Sequence, residues 1–372
     1  MAETVIDIEV VRDELHRVRA LESAPTELAD GEARVRVERF AFTTNNITYA
    51  VFGDALQYWA FFPAGPDDGA AEDAPTPWGR IPVWGFGVVS ESRSDAVDVG
   101  ERLYGYFPMS TEVVLVPGKG DERGVTDLAP HRQAMAGAYN RYVRVAADPI
   151  HRADREDHQM LLFPLFFTSF LVDDFFADSE WFGARQVVVS SASSKTAVGV
   201  AFLAQARGAA EVVGLTSPGN VEFVESLGVF DRVLAYGDVD EVPVVPSVYV
   251  DIAGNRDVLY AVHAHLGDEL TYSMTVGGTH WAHEATAPAD LPGPAPAFFF
   301  APGQIAKRTK EWGRDGLDAR VGEAWQGYAD WADGWVEFDR ALGAEAVQQV
   351  YLELLDGRVD PRAGHICSLG DD

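Results

Sequence analysis

A chain of 372 residues is long enough for two domains, and a formal net charge of −29, from 29 basic and 58 acidic side chains, repels phosphate backbones and anionic membrane surfaces. Nucleic acid and membrane are therefore excluded as expected partners. One cysteine, Cys367, rules out an internal disulfide framework and a cysteine-built zinc site. No apolar run reaches the roughly 20 residues of a membrane helix. The longest, residues 160–172, is interrupted by Pro164, Thr168 and Ser169 and stops at Asp173-Asp174. The N-terminus shows no basic segment followed by an apolar one, so the expected location is the cytoplasm.

In chain order, the first 150 residues read as strands and turns. Residues 33–42 alternate with period two, as a half-buried strand does, and residues 83–90 and 102–107 are further strands bounded by Gly, Pro and Asp. Residues 63–77 are rich in Gly, Ala, Asp and Pro and form a surface loop. From about residue 153 the period changes. An apolar helix over 159–176 precedes a strand at 186–190 and a helix at 197–207. The alternation continues with a strand at 211–215, a helix at 219–226, strands at 232–235 and 247–252, a helix at 258–265 and a strand at 270–276. Such alternation implies right-handed crossovers and a doubly wound parallel sheet, so the fold class is α/β. The last 70 residues are aromatic and mostly helical, with a helix at 344–355 and a closing strand near 365–368.

Ligands in doubly wound sheets sit beyond the carboxyl ends of the strands, which directs attention to the turn after Ser190. There the run Ser190-Ser191-Ala192-Ser193-Ser194-Lys195-Thr196 sets five hydroxyls and one of only four lysines between a strand and a helix. Free N–H groups and the partial positive charge of a helix N-terminus, with the lysine charge added, suit a pyrophosphate. Capping the helix alone needs a single hydroxyl. The usual Gly-x-Gly-x-x-Gly is missing, and no glycine precedes the lysine as a Walker loop requires. The second strand ends Gly214-Leu215-Thr216-Ser217 without an acid, so Thr216 and Ser217 are expected to take a 2′-phosphate, favouring NADPH over NADH.

Taken in order, these pieces resemble the medium-chain dehydrogenase/reductase superfamily, in its zinc-independent quinone oxidoreductase and enoyl reductase branch, as an uncharacterised domain-of-unknown-function subgroup. The resemblance rests on residues 30–46, on Pro82-Val-Trp-Gly-Phe-Gly-Val-Val89 and Val99-Gly-Glu-Arg-Leu-Tyr-Gly105, and on residues 137–148. It continues through 164–171, Asp251-Ile-Ala-Gly254, Val276-Gly-Gly-Thr279 and Ala297-Phe-Phe-Phe-Ala-Pro302. It implies a GroES-like β-rich catalytic domain at 1–152, a Rossmann domain at 153–302, a helical segment at 303–372 returning to the catalytic domain, and a homodimer.

The implied cofactor-binding residues are Asn45, Thr168, Ser191, Ser193, Ser194, Lys195, Thr196, Thr216, Ser217, Tyr236, Ala253, Gly254, Gly277, Phe299 and Phe300. The candidate catalytic residues are Tyr49, Tyr58, Asn46 and His280. Each has a plainer alternative: the tyrosines as pocket or core aromatics, the asparagines as turn formers, His280 as a loop histidine. The superfamily's zinc ligands are absent, and neither His263 and His265 nor His280 and His283 have a third ligand at metal spacing, so no metal site is expected. The phosphate-loop glycines are replaced by Ser191, Ser194, Lys195 and Ala197. The implied activity is NADPH-dependent hydride transfer to an α,β-unsaturated carbonyl compound or quinone, a small apolar or aromatic substrate. A metal-free carbonyl reductase and a non-catalytic nucleotide-binding scaffold of the same fold are the alternatives.

Overall fold

The computed structural model describes residues 4–55, 57–65, 76–118, 120–135, 137–252, 254–276 and 291–370. In chain order the elements begin with β1 (Val5–Val11), β2 (Glu14–Ser23), β3 (Ala33–Phe42), α1 (Thr44–Val51), β4 (Trp78–Gly79) and β5 (Pro82–Ser92). Next come β6 (Arg102–Pro108), β7 (Glu112–Leu115), β8 (Gly124–Thr126), β9 (Arg141–Arg144), α2 (Glu156–Leu161) and α3 (Phe163–Asp178). The alternating region holds β10 (Gln186–Val189), α4 (Lys195–Arg207), β11 (Glu211–Thr216), α5 (Val221–Ser226), β12 (Arg232–Ala235), β13 (Ser247–Asp251), α6 (Arg256–Leu266) and β14 (Leu270–Thr275). The chain closes with β15 (Ala297–Phe298), α7 (Ala301–Ala332), β16 (Glu337–Leu342), α8 (Ala344–Leu355) and β17 (Ala363–Ser368).

The chain divides into two units, Met1–Leu161 with Val336–Asp372, and Leu162–Trp335. The first unit holds a three-stranded sheet, β2-β1-β4, and an eight-stranded sheet along β16-β17-β3-β5-β6-β9-β8, with β7 paired to β3. The alternation in β3 buries Val35 and Val37 and turns Arg36 out. Their core includes Phe40, Val83, Leu103 and Phe107, closed by Tyr351 from α8. A Cβ on Gly105 would lie 2.5 Å from the Tyr142 ring, so β6 needs a glycine there. Its neighbours Tyr104 and Tyr106 consequently project from the opposite face of the strand. The Glu156 carboxylate accepts from Arg39 at 2.7 Å and from Arg102 at 2.7 Å, tying α2 to the sheet.

In the second unit six strands pair in the order β12-β11-β10-β13-β14-β15, every pair parallel. Counted from β10, that is the 3-2-1-4-5-6 order of a doubly wound dinucleotide-type sheet. Val187, Val188 and Val189 are fully buried, as a strand covered on both faces requires. The Ser169 hydroxyl donates to the carbonyls of Leu165 (3.0 Å) and Thr196 (2.8 Å), and a Cβ on Gly199 would lie 2.6 Å from that hydroxyl. Glycine at 199 thus sets how closely α3 and α4 approach.

Two differences from the sequence reading have plain causes. The apolar helix is two helices, because Pro164 sits in the first turn of α3 and cannot continue the preceding one. The helical segment from 303 does not return as a block: α7 stays with the second unit, and only residues from Val336 rejoin the first. Helix α7 is held by ring packing of Trp325 and Tyr328 on Phe166 and by Arg308 and Gln304, both donating to Asp174. Strand β17 then pairs antiparallel with β3 and parallel with β16. No single helix among the described residues is long and apolar enough to cross a membrane.

Candidate functional site

The second unit contributes the turn between Val189 and Lys195. Strand β10 lies between β11 and β13, where the strand order reverses, and loops at that switch point form the ligand crevice of such sheets. The Ser190 hydroxyl donates to Asp251 Oδ1 at 2.8 Å and accepts from the Ile252 N–H at 3.0 Å, binding the ends of β10 and β13 together. Ser191 has φ of 54°, the left-handed region normally left to glycine, and its N–H donates to the Tyr236 hydroxyl at 3.1 Å. The Ser193 hydroxyl receives Asn220 Nδ2 at 3.0 Å and Thr216 Oγ1 at 3.3 Å. Ser194 caps α4 by accepting from the Ala197 N–H at 3.2 Å. Lys195 is the first residue of α4, and the Thr196 carbonyl accepts from Ser169.

Two features of this turn fit a dinucleotide diphosphate: the N-terminus of a thirteen-residue helix with a lysine at its first position, and an acid-free tip on β11, where Thr216 is buried and Ser217 half-buried. One feature resists it. The Ser193 hydroxyl is taken by Thr216 and Asn220, the Ser194 hydroxyl by the Ala197 N–H, and Tyr236 occupies the Ser191 N–H.

Thr168 is half-buried on α3, its hydroxyl 3.5 Å from the Pro164 carbonyl. Gly254 has φ of 65° and donates its N–H to Asp251 Oδ1 at 3.1 Å. Phe299 is buried, its N–H donating to the Thr275 carbonyl, whereas Phe300 is 54% exposed at the start of α7. Ala253, Gly277, His280 and His283 lie outside the described residues. His263 is held by the Pro292 carbonyl and the Ser273 hydroxyl, and His265 by the Val242 carbonyl. Among the described residues no group of three His, Cys, Asp or Glu side chains converges on a metal position.

The first unit contributes a cluster of rings. Asn45 Nδ2 donates to the Tyr49 hydroxyl at 2.6 Å, one helical turn along α1. Tyr49 stacks on Tyr58 with centroids 4.4 Å apart, and Tyr106 lies edge-on to Tyr49 at 5.9 Å. Phe61, Phe62, Trp84 and Tyr139 complete the cluster around Tyr106. Burial pushes the hydroxyls of Tyr49, Tyr58, Tyr106 and Tyr139 above the ordinary tyrosine range, so all four stay protonated and neutral.

Asn46 makes the bonds of the turn former that was the alternative to its catalytic reading. Its Oδ1 accepts from the Thr43 N–H at 2.8 Å and its Nδ2 donates to the Pro82 carbonyl at 2.9 Å, so both ends of the amide serve the backbone. Helix α1 is locked to the start of β5 by that side chain.

Sequence reasoning did not single out Asn220, Trp84, Tyr106 and Tyr139. Trp84 and Tyr106 are register partners on β5 and β6, and the period-two pair Tyr104 and Tyr106 beside a strand tryptophan was a usable signal. Asn220 carried none, since it reaches Ser193 only through the parallel pairing of β10 and β11.

Comparisons agree with this architecture. Residues 40–360 match the family described as Protein of unknown function (DUF2855). No curated protein matches the sequence. Among solved structures the chain is similar to CurA from Vibrio vulnificus in complex with NADPH, with 13% identity, 99% of each chain covered and a TM-score of 0.60. It is similar to a mutant enoyl thioester reductase from Candida tropicalis at 12% identity, covering 98% of this chain and 100% of that one, with a TM-score of 0.56. The CurK enoyl reductase shares 13% identity over 99% of this chain and 100% of that one, also with a TM-score of 0.56. The fold is that of the medium-chain dehydrogenase/reductase superfamily, a GroES-like part with a Rossmann part.

Proposed function

The chain belongs to the family described as Protein of unknown function (DUF2855), and we propose that it is an NADPH-dependent, metal-free reductase of α,β-unsaturated carbonyl compounds or quinones. One observation carries the reading: Lys195 opens helix α4 at the switch point of a 3-2-1-4-5-6 sheet, beside a β11 tip that holds hydroxyls and no carboxylate. Lys195 and the α4 N-terminus hold the diphosphate. Ser193, Thr216, Ser217, Asn220 and Tyr236 receive the ribose 2′-phosphate, which a carboxylate there would repel.

When bound, a reduced nicotinamide supplies a hydride, and one proton from solvent completes the reduced acceptor. The remaining work falls to the protein. Asn45 donates to the Tyr49 oxygen, and the Tyr49 O–H turns to the acceptor carbonyl as negative charge gathers there. Because burial raises the Tyr49 and Tyr58 hydroxyls, both polarise the acceptor as neutral donors and do not ionise near neutral pH. His280 stands as a further proposed proton donor.

One observation favours a second reading, a non-catalytic nucleotide-binding or scaffold protein: Tyr236 on the Ser191 N–H and the Ser193–Asn220 bond fill the turn with its own side chains. Turnover decides between them. Purified protein with a chelator, NADPH and cyclohex-2-enone or menadione should consume the reduced nicotinamide, and the enone product should be the saturated ketone; an allylic alcohol would mark a carbonyl reductase. Replacing a charge-assisted contact costs roughly 1.5–3 kcal/mol, so Lys195→Ala should raise the KM for NADPH about 10- to 100-fold. No consumption with either acceptor would leave the scaffold reading.

A further inference from the structure

The second unit buries a carboxylate that the proposed chemistry does not use. Asp251 closes β13 at its carboxyl end, beside the tip of β10, and is 1% exposed. Its Oδ1 accepts from the Ser190 hydroxyl at 2.8 Å and from the Gly254 N–H at 3.1 Å. Hydrogen bonds donated to a carboxylate favour its ionised form. Both of these donors are neutral, so they hold the charge in place without cancelling it. Tyr249 lies two residues back on the same face of β13 and feels that charge. Burial first, and the Asp251 charge second, push its phenol well above the ordinary tyrosine range. A buried charge is costly unless it serves a purpose, and Ser190 could cap the Ile252 N–H without it.

Strand order fixes which half of a dinucleotide meets this charge. With the diphosphate at the α4 N-terminus, the adenosine ribose lies over the β11 tip, on one side of β10. The nicotinamide half then extends to the other side, over the tips of β13, β14 and β15. Those strands end in Asp251, Thr275 and Phe298, and of the three only Asp251 is charged. An oxidised nicotinamide ring carries a positive charge, whereas a reduced ring is neutral. A carboxylate shielded from water therefore stabilises the oxidised form and leaves the reduced form nearly unaffected. The same attraction acts during transfer. As the C–H bond of the reduced ring breaks, its electron pair leaves with the hydride to form the new C–H bond on the acceptor. The acceptor is reduced and takes one proton from solvent, and the ring is left oxidised and positive beside Asp251.

We propose that Asp251 selects the redox form of the bound nucleotide: its charge makes NADP+ the tighter ligand, so turnover follows the ratio of NADPH to NADP+ and not NADPH alone. The inference rests on the reductase reading above. NADP+, NADPH and 2′-phospho-ADP-ribose, which lacks the nicotinamide ring, are titrated calorimetrically into the wild-type chain and Asp251→Asn. Asparagine matches aspartate in size and keeps an oxygen for Ser190 and Gly254. Wild type should bind NADP+ more tightly than NADPH. The variant should lose about 10-fold in NADP+ affinity and less than about threefold for NADPH and for the ringless nucleotide. Ser190→Ala removes a donor but keeps the charge, so its ratio of NADP+ to NADPH affinity should match wild type. An unchanged ratio in Asp251→Asn, or an equal loss for all three nucleotides, would overturn the proposal. Tighter binding of NADPH than of NADP+ to wild type would overturn it too, and that result needs no variant to fold. No binding of any nucleotide to wild type would instead remove the reductase reading, and this inference with it.

Discussion

Single residues decide what each candidate site does. Ser191 holds a left-handed backbone angle for which serine is poorly suited, so Ser191→Gly should stabilise the chain by up to about 1 kcal/mol, visible as a higher Tm. Asn46 could be read as a catalytic candidate or a turn former because the sequence shows only its neighbours, not the Thr43 and Pro82 backbone groups it serves. Asn46→Ala strands a buried backbone carbonyl and an N–H and should destabilise the fold by about 1–3 kcal/mol in denaturant titration. His263 is buried between Pro292 and Ser273, and burial lowers its pKa below the ordinary 6.5. The folded state therefore keeps it neutral, so the unfolded chain binds the extra proton as pH falls below 6.5 and stability is lost over that range. A His263→Gln variant should show a flatter stability profile there; an unchanged profile would assign the loss to other groups. Tyr49 titrates the other way. Its raised pKa keeps the hydroxyl protonated as pH rises, so kcat should show no tyrosine limb up to about pH 10, and Tyr49→Phe should lower kcat roughly 100-fold.

Elements were legible where periodicity was strong. Strand β3 and the alternation from β10 to β14 could be read directly, because half-buried strands alternate and parallel strands run apolar. Strand β2 was not, since most of its side chains are exposed and it holds place by pairing with β1. Strand β16 was missed for the same reason, with only Ala341 fully buried. The allegiance of α7 was hidden too, because it depends on Trp325 and Tyr328 finding Phe166 far back in the chain. Trp325 is 1% exposed, and Trp325→Ala should cost about 3–5 kcal/mol and loosen the second unit first, as hydrogen exchange in α3 and α7 would show. At the candidate site, the lysine-bearing turn was legible from composition alone. The bonds that close it, from Tyr236 and Asn220, were not, because three parallel strands bring those residues together.

For the whole molecule, the fold was readable from the order of weak motifs, whereas the chemistry depends on whether a serine-rich turn replaces a glycine-rich one as a diphosphate cradle. Calorimetric titration of NADPH and NADH into the wild-type chain and the Lys195→Ala variant tests this most directly. The expected result is saturable one-site NADPH binding, weaker binding of NADH, and a 10- to 100-fold loss in the variant, as removing one charge-assisted contact implies. Absence of heat with either nucleotide, or equal NADPH affinity in wild type and variant, would contradict it.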